Sequence, residues 1–580
     1  MQLIPTNPSD PGTTADSALL TGALARQKTK RLVTTLWIAC ILVAVLHCWV
    51  GRHAMNPDGV TYMDIADAYR VGHWKAALNS YRSPLYSWML VPAMALTQAS
   101  PEAEFAAVHT VNFLVFLVAL FYFHFLLTGV IRTHSHLAFP NWAMIGAAYA
   151  LFLWSTLTVI TLELVTPDLC VASAVYAATG MLLRIRKGDN RLAFFLVLGF
   201  ILGVGYLAKA ALLAFAPVMA VFSAAAIGKT RQAIPRVMLV ALGFLIVSGP
   251  WIYALSSTKG RLTFGDAGTL AYGYMVHEVP MLHWHGGPAG SGVPAHPDRQ
   301  IYSHPDTYEF ASPISGTYPP SYDYSYWAEG IIVRPDVRTH VRRVAKSLHE
   351  YFSFFDERLS GVISIVVLLW LVGMRGSSPL GSLGREWRLL IPALYGFGLY
   401  AQVWVDWRYL GAHLTLLWIG ILCALRIPEF ERRDQITGAA AVAIMVVLGW
   451  HICAFSYSKI RHEDPMLEHL AVAHSLRAMK IGPGSPVASI GDANIAFWAR
   501  LARVRIVAEI PFDIWDPVLR EPDITEVSIF WAASAEEKAA VMRKLAETHA
   551  KAVIARDVPP GPAGSGWQRI VGTPYSVYRL

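Results

Sequence analysis

The chain has 580 residues, of which 54% are hydrophobic and 15% are charged, whereas about 25% are charged in a typical soluble domain. This composition excludes a disordered chain, a disulfide-rich miniprotein and an ordinary cytosolic enzyme, and it indicates a polytopic membrane protein. The formal net charge is +8. In a membrane protein such an excess usually marks cytoplasmic loops, so we expect no nucleic-acid partner.

Apolar stretches occupy most of the first 456 residues. Residues 1–30 predict a disordered cytoplasmic tail, and 31–456 predict the transmembrane domain. The first span, 32–50, follows Arg26, Lys28, Lys30 and Arg31 without a cleavage site, which predicts a retained signal anchor. Ten further stretches are long enough to cross a bilayer, which takes roughly 20 residues. They lie near 106–131, 141–161, 168–184, 191–208, 211–227, 236–256, 358–374, 389–405, 408–426 and 436–456.

The segment 84–98 is short and contains two prolines, so we predict an interfacial or re-entrant helix and about eleven spans in all. With this count every short basic loop falls on one side, as the positive-inside rule requires. The same topology places 51–105, 257–357 and 457–580 outside the cytoplasm.

The external loop 257–357 has an unusual composition. It holds nine prolines, ten glycines, seven histidines and sixteen aromatic residues, which is too aromatic for a disordered linker. We expect an ordered, irregular lid.

Residues 457–580 have the composition of a soluble domain. The stretches 487–491, 505–510 and 551–555 predict strands, and 493–502 and 535–549 predict helices. The fold class is therefore an α-helical polytopic membrane protein with a small C-terminal extracytoplasmic α/β domain.

Several ionisable residues fall at the outer ends of the predicted spans. Charges at this depth are costly and indicate function. Any one of them could instead be a span end that pairs with lipid headgroups, but the convergence of five or more by chance is a weaker explanation. They are Asp58, Asp64, Arg82, Glu163, Asp168, Lys209, Asp406 and Arg408.

The most informative stretch is 57–69, directly after the first span. Asp58 follows Pro57 at a predicted helix start, where a carboxylate could also serve as a cap for exposed N–H groups. In a helix, Asp58 and Tyr62 share one face, while Asp64 points elsewhere because six residues amount to about 600° of rotation. The two aspartates need not form a close acid pair.

Asp58, Tyr62, Asp64, Ile65 and Ala66, with Pro84-Leu85-Tyr86 downstream, give a pattern that resembles the GT-C glycosyltransferases. Within that superfamily, the sequence is most similar to the protein O-mannosyltransferases and lipid A aminoarabinose transferases. Gly59 departs from the family pattern, which commonly has Glu at this place.

Four later motifs extend the resemblance over roughly residues 30–430. The order and common face of these motifs carry the match, since no single motif is specific. They are Thr166-Pro167-Asp168, Gly205-Tyr206-Leu207-Ala208-Lys209, Pro250-Trp251 and Asp406-Trp407-Arg408-Tyr409.

The resemblance implies a donor of the polyprenyl-phosphate-sugar type. Its leaving group is a lipid phosphate whose negative charge grows as the glycosidic bond breaks, so cations at the boundary would stabilise its departure. Lys209 and Arg408 are the main candidates, with Arg82 third. Asp58 is the candidate general base, which would activate the acceptor hydroxyl and invert the anomeric centre. Residues expected to position the substrates are Tyr62, Asp64, Tyr86, Glu163, Asp168 and Tyr409.

Two further sets of residues lie on the long loop. Tyr322, Tyr324 and Trp327 could stack on a sugar acceptor, and a packed lid is an equally good interpretation. His283 and His285 are candidates for metal ligands, so the cofactor to consider is a divalent metal ion.

The function implied by the resemblance is that of a multi-pass glycosyltransferase of the plasma or inner membrane. It would move a sugar from the polyprenyl-phosphate donor to a hydroxyl of a glycan, lipid or protein acceptor on the extracytoplasmic face. Two alternatives are a lipid or glycan transporter or flippase, and a non-catalytic membrane assembly protein. A transporter should carry buried polar groups at the bilayer midplane or discontinuous helices, and neither is evident in the sequence.

The predicted topology can be tested with reporter fusions. Fusions after residues 187, 300 and 520 should report inside, outside and outside, respectively, because the basic loops set the orientation. A cytoplasmic signal from the fusion after residue 520 would contradict the topology.

Overall fold

A computed structural model gives the fold of the chain. It describes residues 11–98, 100–134, 137–186, 191–227, 230–283, 295–310, 315–373, 379–461, 466–491, 493–512, 525–561 and 564–580. A bundle of apolar helices forms the larger part, and a seven-stranded sheet lies beyond one end of the bundle. We call that end the sheet side.

Helices predominate throughout. Those of the first half are α1 (Pro11–Val50), α2 (Pro57–Arg70), α3 (Trp74–Ala77), α4 (Leu85–Leu96), α5 (Glu104–Thr133), α6 (Asn141–Trp154), α7 (Asp168–Arg186), α8 (Leu192–Ala208), α9 (Leu212–Ile227) and α10 (Thr230–Lys259). Those of the second half are α11 (Ala267–Val276), α12 (Pro319–Tyr322), α13 (Tyr324–Trp327), α14 (Val337–Gly373), α15 (Pro379–Arg385), α16 (Trp387–Ala401), α17 (Trp407–Ala424), α18 (Arg433–Arg461), α19 (Met466–Ala478), α20 (Phe497–Ala502), α21 (Glu526–Ala532) and α22 (Ala535–Glu547).

Each of the eleven stretches predicted to span the membrane coincides with a helix. By length and composition, seven helices among the described residues could cross a bilayer: Arg26–Val50, Pro101–Thr133, Asn141–Ile160, Asp168–Ile185, Arg231–Lys259, Trp407–Ala424 and α18 (Arg433–Arg461). The helices α8 and α9 are apolar but shorter, α16 has 15 residues, and the predicted span 358–374 lies in the C-terminal half of α14. The count of eleven is therefore larger than the count of full-length spans.

The segment 84–98 forms the short helix α4, as expected for an interfacial or re-entrant element. Its 12 residues reach about 18 Å, well short of the roughly 30 Å hydrocarbon core. It packs against α2 and α5. This short helix therefore belongs to the layer that carries the first loop rather than to the membrane crossing.

The sheet has the strand order β1-β2-β4-β3-β5-β7-β6. The central strands β4, β3 and β5 are parallel, and the flanking pairs are antiparallel. The three strands predicted from the sequence are β3, β4 and β5, each within one residue of its predicted bounds. The strands are β1 (Arg299–Ser303), β2 (Asp306–Glu309), β3 (Pro486–Ile490), β4 (Arg505–Ile510), β5 (Ala552–Arg556), β6 (Gln568–Arg569) and β7 (Tyr575–Arg579).

The loop 257–357 is more regular than we expected. It contributes β1 and β2 as well as three short helices, and Tyr308 of β2 pairs with Glu509 of β4. The expectation of an irregular lid is wrong in this respect, because the loop completes an edge that β4 would otherwise leave unpaired. The sheet thus draws on two parts of the chain, and a boundary at 457 leaves two of its strands out. Both parts must lie on the same side of the membrane.

A buried ion cluster fastens the loop to the sheet. His283 Nδ1 lies 2.8 Å from Asp298 Oδ2, and Nε2 lies 2.7 Å from Glu509 Oε1. The imidazole stacks on the ring of Tyr308 at 4.4 Å. Burial opposes the charged imidazolium, but Glu509 and Asp298 outweigh burial and raise the pKa of His283 to about 10. His283 is therefore protonated at neutral pH, and its ion pairs link the loop to β4.

The raised pKa of His283 predicts a pH dependence of stability. A raised histidine pKa contributes stability that is complete below the ordinary value of about 6.5 and is lost as pH rises toward 10, on the order of 5 kcal/mol for the full shift. The apparent melting temperature of the detergent-purified protein should fall between pH 7 and pH 10. His283→Gln should remove most of that slope, whereas His296→Gln, at a half-exposed position of the same loop, should keep it. An equal slope in wild type and His283→Gln would contradict the assignment.

Candidate active site

Six charged residues converge where several helices end on the sheet side. Asp58 lies in the first turn of α2, Asp168 begins α7, Lys209 follows α8 and Arg408 lies in the first turn of α17. Arg82 comes from the segment before α4, and Asp406 precedes α17. Three carboxylates thus face three cations, and their formal charges cancel. Cancellation of this kind is what makes a charged cluster tolerable at an apolar boundary.

Asp58 lies between two arginines. Its Oδ1 is 2.9 Å from Arg82 Nη2, and its Oδ2 is 3.1 Å from Arg408 Nη2. Burial alone would raise the pKa of this carboxyl, but the charges of Arg82 and Arg408 outweigh burial and hold the pKa well below its ordinary value. Asp58 is therefore ionised at neutral pH. Its side chain is still 30% exposed, so one edge is open to a substrate.

Arg408 is the centre of the cluster. Its Nε lies 2.6 Å from Asp406 Oδ2 and 3.7 Å from Asp168 Oδ2, while its Nη2 reaches Asp58. Asp406 is also the N-cap of α17 and accepts a hydrogen bond from the Arg408 backbone N–H. The planar guanidinium with its fixed set of donors suits such a shared position.

Lys209 completes the cluster from α8. Its ammonium lies 2.8 Å from Asp168 Oδ1 and 3.1 Å from the centre of the Tyr409 ring. Thr166 donates its hydroxyl to Asp168 Oδ2, and Asp168 itself is only 2% exposed. Asp168 therefore orients Lys209, and it has no open edge comparable to that of Asp58.

Aromatic rings surround the Arg82 guanidinium. The ring centres of Tyr62, Tyr81 and Tyr324 lie 5.2, 5.6 and 5.7 Å from its central carbon. Tyr86 supports Tyr62 edge to face at 5.2 Å and donates its hydroxyl to Asn112. The side chain of Arg82 is thereby held by stacking as well as by charge.

Most of the residues predicted from the sequence come together here. Those that take part in the cluster or contact it are Asp58, Tyr62, Arg82, Asp168, Lys209, Arg408 and Tyr409, with Tyr86 one layer behind. Their shared position follows from a simple rule. In a membrane protein, the charged residues at the ends of the spans on one side lie in the same layer. That rule is also why the sequence could find them.

Two predicted substrate-positioning residues lie elsewhere. Glu163 pairs with Lys459 at the end of α18 at 2.6 Å, and its described contacts do not include the cluster. Asp64 is turned away from Asp58, as the helix geometry predicted, and accepts hydrogen bonds from Thr317 and Arg500. Neither carboxylate is placed to touch a substrate at the cluster, because each is already engaged by another element.

Of the two interpretations of the loop aromatics, Tyr322 and Trp327 fit the packed lid. Tyr322 and Trp327 are 4% and 8% exposed, and they donate hydrogen bonds to Ala76 O and Pro319 O, respectively. Rings packed in this way cannot present a face to a sugar. Tyr324 is buried too, but it stands beside Arg82 at the cluster.

The metal site suggested by His283 and His285 is not supported. His283 is engaged by Asp298 and Glu509, and His285 lies outside the described residues. Within the part of the chain that the structure describes, no group of three His, Cys, Asp or Glu side chains is arranged to hold a metal ion.

Sequence reasoning missed several members of the site. Asp406 and Thr166 belong to the motifs named above but were given no site role, and Tyr81 was overlooked. Each lies within two residues of a predicted site residue, and this proximity in sequence could have identified them. Arg500 was missed altogether. Its signal was a cation within the apolar stretch Phe497–Ala502, which is unusual for a helix packed on a core.

Close packing explains Gly59, the departure from the family pattern. A Cβ at this position would lie 2.7 Å from both Met55 Sδ and Val165 Cβ. Real Cβ atoms do not approach so closely, so a glutamate could not replace this glycine unless Met55 and Val165 moved. The start of α2 is thereby packed directly on the segment before α7.

Comparisons with known proteins found likeness in structure only. No family model matches the chain, and no curated protein matches it in sequence. The chain is similar to ArnT from Cupriavidus metallidurans in the apo state, with 12% identity, a TM-score of 0.48 and coverage of 94% of this chain and 98% of that one.

It is also similar to the archaeal oligosaccharyltransferase AglB from Archaeoglobus fulgidus, in complex with an inhibitory peptide and a dolichol-phosphate. That match has 12% identity, a TM-score of 0.47 and coverage of 91% of this chain and 70% of that one. Both matches have a low identity and a modest TM-score. They are distant and concern the fold.

Proposed function

We propose that this protein is a membrane glycosyltransferase that moves a sugar from a polyprenyl-phosphate donor to an acceptor hydroxyl on the extracytoplasmic face, with inversion. The observation that carries the proposal is the position of Asp58. It is a partly exposed carboxylate that contacts both Arg82 and Arg408, while Lys209 joins the same cluster through Asp168. The proposal thus assigns a base and a set of phosphate-binding cations to one cluster of side chains.

The cations suit a lipid phosphate. Arginine binds phosphate oxygens through two parallel N–H donors, and lysine binds them as a point charge. The donor phosphate would compete with Asp58 for Arg82 and Arg408 and would take Lys209 from Asp168. Because the glycosidic bond breaks with charge growing on the phosphate oxygen, these contacts strengthen in the transition state.

The low pKa of Asp58 gives donor binding a second effect. A carboxylate held by two arginines is a weak base, since general-base catalysis favours a pKa near the working pH. Transfer of Arg82 and Arg408 to the donor phosphate would raise the pKa of Asp58 from its depressed value. The base would then become effective only when a donor is bound.

The transfer step then follows. Asp58 accepts the proton of the acceptor hydroxyl, whose oxygen forms a bond to the anomeric carbon. The bond from that carbon to the phosphate oxygen breaks, and its electron pair remains on the phosphate. Attack opposite the leaving group inverts the anomeric centre.

The proposal is tested by Asp58→Asn. This change keeps the size of the side chain but removes the proton acceptor, so sugar transfer should fall about 10²- to 10⁴-fold. The assay would measure release of polyprenyl phosphate from a panel of synthetic polyprenyl-phosphate sugars, with a membrane extract as the source of acceptors.

The matched control is Glu163→Gln. Glu163 is a largely buried carboxylate that pairs with a single lysine outside the cluster, so this variant should retain activity. Near wild-type transfer by Asp58→Asn would refute the assignment of the base. Absence of transfer by the wild-type protein with every donor would favour the transporter or the assembly protein.

A further inference from the structure

The membrane helices and the C-terminal domain meet at a second charged cluster, distinct from the candidate active site. Arg500 of α20 inserts between three carboxylates. Its Nη1 lies 2.8 Å from Asp64, its Nη2 lies 2.6 Å from Asp67 and its Nε lies 2.9 Å from Glu104. Arg500 is 6% exposed.

The geometry of this contact requires an arginine. Each of the three nitrogens of the guanidinium donates to a different carboxylate, which a single ammonium could not do with the same directions. Two of the three carboxylates belong to α2, and the third begins α5. The domain therefore holds α2 by two points one helical turn apart.

The long loop is tied to the same place. Asp64 accepts hydrogen bonds from the Thr317 backbone N–H at 2.7 Å and from its hydroxyl at 2.9 Å. The carbonyl of Ser321 accepts a hydrogen bond from Thr61 of α2. The loop and the C-terminal domain thus both bind to the same side of α2.

The same helix carries Asp58. Asp64 follows Asp58 by six residues, which is about 9 Å along the helix axis. Arg82 and Arg408 hold the first turn of α2, and Arg500 holds its middle. A helix of 14 residues moves as a rigid body, so a shift at Asp64 and Asp67 becomes a tilt at Asp58.

We propose that Arg500 is a positioning residue through which the C-terminal domain sets the place of Asp58. The inference rests on the proposed function, since it assigns the domain a part in the same reaction. The donor-phosphate cations Arg82, Lys209 and Arg408 lie on elements other than α2. A misplaced α2 should therefore impair catalysis while donor binding persists.

The test is Arg500→Lys, which keeps the charge and removes the three-way fork. Misplacement of a catalytic group by about 1 Å can cost on the order of 10²-fold, so kcat should fall about 10- to 100-fold. Binding of polyprenyl phosphate, the probe, should not weaken by more than about twofold, because a displaced Asp58 competes less with the phosphate for Arg82 and Arg408. Arg503→Lys is the matched control, because Arg503 of the same domain contacts Glu104 and the carbonyl of Thr97 but not α2; it should leave kcat unchanged.

The decisive readout is the double variant with Asp58→Asn. If Arg500 acts through Asp58, Arg500→Lys should cause no further loss of the residual transfer in that background. An equal loss in both backgrounds, an equal loss in Arg503→Lys or an unchanged kcat in Arg500→Lys would overturn the inference.

If Arg500→Lys fails to fold, Asp67→Asn removes one of the three contacts and should give a smaller loss of kcat, again absent in the Asp58→Asn background. Lack of transfer by wild type would instead count against the proposed function.

Discussion

The arrangement at the sheet side depends on the need to neutralise charge at an apolar boundary. Asp58, Asp168 and Asp406 face Arg82, Lys209 and Arg408, and each charge has an opposite charge within ion-pair distance. Removal of one partner from such a cluster leaves an uncompensated charge, which is far more costly than the loss of a surface ion pair. Each of these helix ends neutralises a charge on another one. The ends of α2, α7, α8 and α17 are therefore held together by their ion pairs.

This neutrality has a functional consequence in the proposed mechanism. The cations that would bind a donor phosphate are already occupied by carboxylates, so donor binding is an exchange of partners. In that mechanism the affinity for the donor would be the difference between two sets of ion pairs, and Asp58 would lose its ion pairs to the arginines in the same event. Base activation and donor binding would thereby be coupled through Arg82 and Arg408, without a large movement of the helices.

The sequence predicted the helices and the membership of the cluster well, for physical reasons. Hydropathy follows from the apolar environment of each span, and charged residues such as Lys209 and Arg408 stand out at span ends. The sequence could not show which carboxylate opposes which cation, because Glu163 and Asp168 look alike until Lys459 and Lys209 are placed in space. Nor could it show that β2 pairs with β4, since Tyr308 and Glu509 lie far apart in the chain. Arg500 escaped notice because its three partners come from two helices of another part of the molecule.

The central claim is tested most directly by a cryo-electron microscopy structure of the protein in lipid nanodiscs with bound polyprenyl phosphate. The account predicts that the phosphate contacts Lys209 and Arg408, and that Asp58 moves beyond ion-pair distance from Arg82 or Arg408. A phosphate bound elsewhere, or a phosphate at this site with both arginines still paired to Asp58, would contradict it.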